Sequence, residues 1–167
     1  PYSISVERSI ITNKQLFYDF TKESQRKIDS VEGLKDKPVL FFGHFAVQGA
    51  SLNLGAGASG KKLDFKNTSS HDISVSDLDK SGADYVFLGD FHSHQVLPTK
   101  NCVSMYTGSI EKDDITHRDL AKGFVVYDTE YPQDDVYGQC KFIEYPNCRP
   151  MVSITGGLKK IRKEVAE

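Results

Sequence analysis

Three residues of the kinds that hold divalent cations follow one short apolar run. Asp90, His92 and His94 come directly after Tyr85-Val86-Phe87-Leu88-Gly89. A carboxylate beside imidazoles suits a divalent metal. Asp90 and His92 are two apart, so in extended chain they share a face. A second stretch, "VLFFGH" over Val39 to His44, repeats the pattern of apolar run, glycine and metal-type side chain. The plain alternative is a pair of polar turns whose histidines are solvated.

Such chemistry needs elements that bring the two stretches together. Apolar runs of this length, rich in β-branched and aromatic residues, predict buried strands. Gly89 lets the backbone leave the sheet without a Cβ clash. The polar residues then sit past a strand's C-terminal end, where open α/β sheets place ligands. Between the two runs, Ser74 with Asp77 three residues on is a helix start signal, and Gly82 is a stop. That is a βαβ arrangement. Its parallel strands present His44 and Asp90/His92 at one edge of one sheet.

The remaining chain predicts an α/β domain. Residues 2–11 alternate loosely, as an edge strand or an extended lead-in. Thr12 and Gln15 make a capping box for a helix over about 13–30, with Leu16, Phe17, Phe20, Ser24 and Ile28 as its inner stripe. The Gly/Ala/Ser-dense stretch after His44 has no GxxxxGK[ST] signature, which argues against a Walker-type phosphate loop. It reads as a long loop near the site. Its Lys61 and Lys62 are in reach of phosphates or are ordinary surface lysines. His71 and His117 read as solvent-exposed. Strands are expected at 103–106, 123–128 and 139–145, joined as an antiparallel meander. A strand-like run over 151–154 and a basic helix close the chain.

Composition narrows the classes. The 167 residues suffice for one domain with a real core. Twenty-one basic against twenty-three acidic residues leave a net charge of −2, so there is no basic footprint for nucleic acid. A bound metal pair would still supply positive charge locally. The cysteines, Cys102, Cys140 and Cys148, are odd in number and lack CxxC spacing. Neither a disulfide framework nor a cysteine zinc site is expected, and a reducing, cytoplasmic setting is. No run approaches the ~18 apolar residues of a membrane span, and no signal peptide is visible.

The set "FFGHF" at 41–45, "LGDFH" at 88–92, "YTGS" at 106–109 and "KGFVVYD" at 122–128 resembles the calcineurin-like metallophosphoesterases. Within them it is most similar to the SbcD-type (Mre-type) DNA nuclease subunits. In that family one strand ends in Gly-His, a later one in Gly-His-x-His, and a "GS" turn and a "KGF" strand follow. Order and spacing agree over roughly residues 38–158. The resemblance implies half of a metallophosphoesterase β-sandwich flanked by helices, with a mixed sheet plus an antiparallel meander. Residues 1–150 would be the C-terminal part of the phosphoesterase domain, and 151–167 the start of a capping or linker segment.

The resemblance also implies roles. His44 and position 90 would ligate one metal of a two-metal centre, and His92 the other. On the residues themselves, His94 would touch a substrate phosphate or sit in solvent, and Gly108 and Ser109 would meet a phosphate, support the ligands from behind, or form an ordinary hairpin turn. Position 90 is Asp where the family has His, which favours manganese or magnesium over zinc. The family's N-terminal motifs, DxH, GDxxD and GNHD, are absent from these residues. Two divalent cations need a bridging carboxylate and more than three side-chain ligands. The chain alone is therefore expected to bind metal weakly and to leave phosphodiesters intact. The leading expectation is a segment of a manganese-dependent DNA exo/endonuclease acting on DNA ends, with an SbcC-type ATPase as partner and homodimerisation through a region outside this stretch. Alternatives are a metallophosphoesterase for small phosphoesters and a non-catalytic, partner-binding half-domain.

Overall fold

A computed structural model describes residues 13–52, 63–64 and 73–157. The order is α1 (Asn13–Ser30), β1 (Leu40–His44), β2 (Ser51–Leu52), β3 (Leu63–Asp64), α2 (Val75–Leu78), β4 (Tyr85–Gly89), β5 (Gln95–Leu97), β6 (Val103–Tyr106), a 3-10 turn (Ile115–His117), β7 (Gly123–Tyr127) and β8 (Cys140–Glu144). The class is mixed α/β. The main sheet runs β1-β4-β6-β5, β7 and β8 form a separate antiparallel sheet, and β2 pairs with β3.

β4 is the centre because its sequence can be buried on both faces. Tyr85 through Leu88 are all buried. Strand residues alternate between faces, and two clusters result. Val86 and Leu88 join Phe17 of α1, Val47 and Tyr106 on one side. Tyr85 and Phe87 join Met105 and Cys140, with Val125 and Tyr127 of β7, on the other. Each fully buried side chain of this size contributes about 1.5–3 kcal/mol.

β1 and β4 are parallel, as the βαβ reading requires, and His44 pairs in register with Gly89. The connection contains a single helical turn, α2, in which the backbone N–H of Ser74 donates to Asp77 Oδ2 at 2.9 Å, as in a capping box. Gly82 has φ +75, a left-handed conformation that glycine adopts without a Cβ penalty. β1 itself is an edge strand of the main sheet and only half-buried: Phe42 is 72 % exposed.

Several expectations need correction. Leu16 and Phe20 face outward, and the inner stripe of α1 runs through Phe17 and Thr21. The 103–106 strand does not join a meander. It pairs parallel to β4 and antiparallel to β5, which the apolar pattern did not signal. Residues 151–154 form no strand. Met151 and Ile154 are half-buried and Val152 exposed, so the run lacks a buried face to pair over. Thr12, Lys61, Lys62, His71, the 2–11 segment and the basic C-terminal run lie outside the described residues. Cys140 is buried, and Cys102 and Cys148 are half-buried. No helix among the described residues is long and apolar enough to cross a membrane.

Candidate metal centre

The chain leaving β1 is fixed from beneath. The hydroxyl of the fully buried Tyr106 donates to Phe45 O at 3.0 Å and accepts from the Val47 N–H at 2.8 Å. Burial holds this phenol well above its ordinary pKa, so it stays neutral. His44 is therefore carried on a rigid strand end. Its exposed ring lies across the end of β4: a Cβ at Gly89 would stand 2.5 Å from His44 Nδ1. A side chain at 89 would have to displace the imidazole of the neighbouring strand.

Asp90 follows at φ +98, the one non-glycine residue with positive φ among the described residues. Such a conformation costs on the order of 1–3 kcal/mol, less for Asp than for most residues, and concentrates at functional sites. Asp90 and His92 are exposed while Phe91 and Ser93 are buried, so both polar side chains stay on the solvent side.

The His92 backbone is clamped. Its carbonyl accepts from the Ser109 N–H at 3.2 Å and from the Lys122 ammonium at 2.8 Å. Lys122 is 2 % exposed and also donates to Ser109 Oγ at 2.9 Å. Burial lowers its pKa. The Ser109 hydroxyl lies 2.8 Å from Glu111 O. The "GS" turn and the "KGF" lysine thus brace His92 from behind. Gly108 has φ +79, and a Cβ there would come within 2.8 Å of His94 N.

His94 sits apart from this group. Nδ1 is 2.9 Å from Tyr106 O and Nε2 is 3.3 Å from Tyr137 Oη. The ring stacks on Phe142 at 4.2 Å between centroids. Burial lowers its pKa, against the opposing pull of the Tyr106 carbonyl, so the ring is neutral near pH 7. A phosphate reaching it would have to displace Tyr137.

Side chains that the sequence reading left out complete the site. Asp113 places one carboxylate oxygen on His92 Nδ1 and the other 2.7 Å from His117 Nδ1. Slight burial alone would raise the Asp113 carboxyl; the His117 hydrogen bond and the two imidazoles outweigh it and lower the pKa. His117 was expected in solvent, yet its side chain is only 14 % exposed, because the 3-10 turn folds it back toward Asp113. The available signal was the i, i+4 spacing of Asp113 and His117. Among the described residues, His92, Asp113 and His117 form a group whose ligand atoms all lie within 4.8 Å of one another. His44 and Asp90 are not in it.

Comparison with protein-family models and with curated protein sequences finds no match. The functional reading therefore stands on these residues.

Lys122 offers a direct check on the bracing. Lys122→Met keeps the side-chain length, removes the buried charge and leaves the His92 carbonyl the Ser109 N–H. Stability should change by less than about 1.5 kcal/mol, since loss of the hydrogen bonds opposes relief of desolvation. Divalent-metal affinity should fall about tenfold, as it does when the support behind a ligand is removed. Urea denaturation and a metal titration on the same sample read the two effects.

Proposed function

We propose that this chain supplies the C-terminal strand-end edge of an SbcD-type metallophosphoesterase, a manganese-dependent nuclease that hydrolyses phosphodiester bonds at DNA ends together with an SbcC-type ATPase. The observation that carries the reading is the parallel register of β1 and β4, in which His44 stands opposite Gly89 and its ring lies against the start of the Asp90–His92 turn. His44 and Asp90 would hold one ion and His92 would face the second. Divalent ions held there would polarise the phosphodiester and supply a hydroxide nucleophile at neutral pH.

The chain's own part is to position. Tyr106 fixes the segment after His44, and Lys122 with Ser109 fixes His92. The strained backbone at Asp90 turns its carboxylate to the exposed side. His44, Asp90 and His92 do not balance two divalent cations, and Asp113 and His117 gather at His92 alone, so hydrolysis requires a bridging carboxylate and further ligands. The test is manganese-dependent cleavage of linear duplex DNA by the protein expressed from the full natural reading frame that contains this chain. The longer protein is expected to cleave, its His44→Asn and His92→Asn forms to lose at least a hundredfold in kcat, and the 167-residue chain alone to be silent. Cleavage by the short chain, or none by the long one, would overturn the reading.

A further inference from the structure

We propose that His92, Asp113 and His117 form a mononuclear site for a first-row divalent transition ion of the zinc type. The site shares His92 with the strand-end set, but it holds whether or not the chain serves a phosphoesterase.

The donor set is two imidazole nitrogens and one carboxylate oxygen. That set suits zinc and its first-row neighbours far better than magnesium, which takes oxygen ligands. Three protein ligands leave a fourth position, the pattern of zinc sites that keep an open coordination place. It would face a cleft of about 130 Å³ lined by Ser51, Asp90, Phe91, His92, Ser93 and His117.

The geometry is close to what an ion needs. Tetrahedral zinc with bonds of ~2.0–2.2 Å separates its donors by roughly 3.3–3.5 Å. Both Nδ1 atoms now touch the Asp113 carboxylate, one at 2.7 Å. The two contacts to Asp113 would lengthen to reach that spacing, within a group whose donors already lie no more than 4.8 Å apart. A cation bound there would take the Nδ1 lone pair of each ring, with the ring proton on Nε2.

The frame around the three ligands is already built. His92 is anchored through its carbonyl by Lys122 and Ser109. Asp114 caps the 3-10 turn: its Oδ1 accepts from the Thr116 N–H at 2.7 Å, and its carbonyl accepts from the His117 N–H at 2.9 Å. That turn sets His117 four residues from Asp113, on the same side. The ligands therefore need little ordering on binding, which favours affinity.

The experiment uses the metal-free 167-residue chain titrated with Co(II), followed by visible absorption, with Zn(II) and Mg(II) as competitors. Saturation at one equivalent is expected, with displacement by Zn(II) and none by Mg(II). Asp113→Asn and His117→Gln should each weaken Co(II) at least tenfold, while Cys148→Ser, a nearby thiol outside the three ligands, leaves it unchanged. Circular dichroism of each variant verifies the fold. Imidazole nitrogen spectra of the unmodified chain give a readout without any variant: Zn(II) should shift Nδ1 of His92 and His117 and leave His94 in place. Absence of saturable binding would overturn the site. So would loss of binding in Cys148→Ser with retention in Asp113→Asn. Neither result bears on DNA cleavage by the longer protein, so the two readings fail separately.

Discussion

Replacing Asp77 with alanine should destabilise the fold by about 3 kcal/mol, the scale for stripping one partner from a buried charged cluster. For a chain of this size that is a drop of roughly 6–12 °C in melting temperature. Asp77 is 1 % exposed. It accepts from the Tyr18 hydroxyl, from the Ser74 N–H at 2.9 Å and hydroxyl at 2.7 Å, and pairs with Lys14 at 3.0 Å. It is thus the polar rivet between α1 and the α2 turn. Burial by itself would raise the Asp77 carboxyl, but the bonds from Tyr18, Ser74 and Lys14 outweigh it and hold the pKa well below the ordinary 3.8. The sign follows from linkage. A folded-state pKa below the unfolded value contributes stability that is present above pH 3.8 and drains away as pH falls below it. Acid titration of the melting temperature should show a steep fall below pH 4 in the unmodified chain and a shallower one in Asp77→Asn. Equal slopes would remove Asp77 from the account.

Gly123→Ala should cost about 2–3 kcal/mol, at the upper end for inserting a methyl into a tightly packed position. A Cβ at 123 would lie 2.1 Å from Ile143 O and 2.9 Å from the Ile143 carbonyl carbon. Both are backbone atoms of the paired strand, so β7 and β8 must separate at their end, where Gly123 faces Glu144 in register. The effect should appear as early hydrogen exchange of the amides in 123–127 and 140–144, with β4 protected as before. Full protection in the hairpin would show that the strands tolerate the methyl. Lys122 lies next to this position, so the same variant should loosen the brace on His92.

β1, β4, β6, β7 and β8 were legible because each is a short apolar run between turn residues, whereas the two- and three-residue strands β2, β3 and β5 are too short to show a pattern; α1 has its expected limits, Asn13–Ser30. Its phase was not. Leu16 and Phe20 suggested one stripe by hydrophobicity, but the buried stripe passes through Phe17 and the polar Thr21, and periodicity scores a threonine as surface. The partner of β6 was equally hidden. Hairpin logic pairs neighbours in sequence, whereas the β4–β6 pairing is parallel and is set by the sheet as a whole. At the site, His44, Asp90 and His92 could be found because they terminate strands. Asp113 and His117 lie in a charge-rich stretch where a lone carboxylate and imidazole look like ordinary solvated surface. Their meeting with His92 depends on the 3-10 turn that Asp114 caps. Lys122 was visible only as a letter of a motif, and its burial beneath the His92 carbonyl is a tertiary fact.

The contrast among the three thiols has a practical consequence. Burial raises the Cys140 thiol to about 11 and also raises Cys102, which suppresses the nucleophilic thiolate at both. Cys148 is partly open, and its sulfur rests 3.7 Å from a Glu111 carboxylate oxygen, two residues from Asp113. The chain therefore carries a native, partly open thiol beside the His92–Asp113–His117 loop, where a fluorophore or spin label would sit without any engineered cysteine.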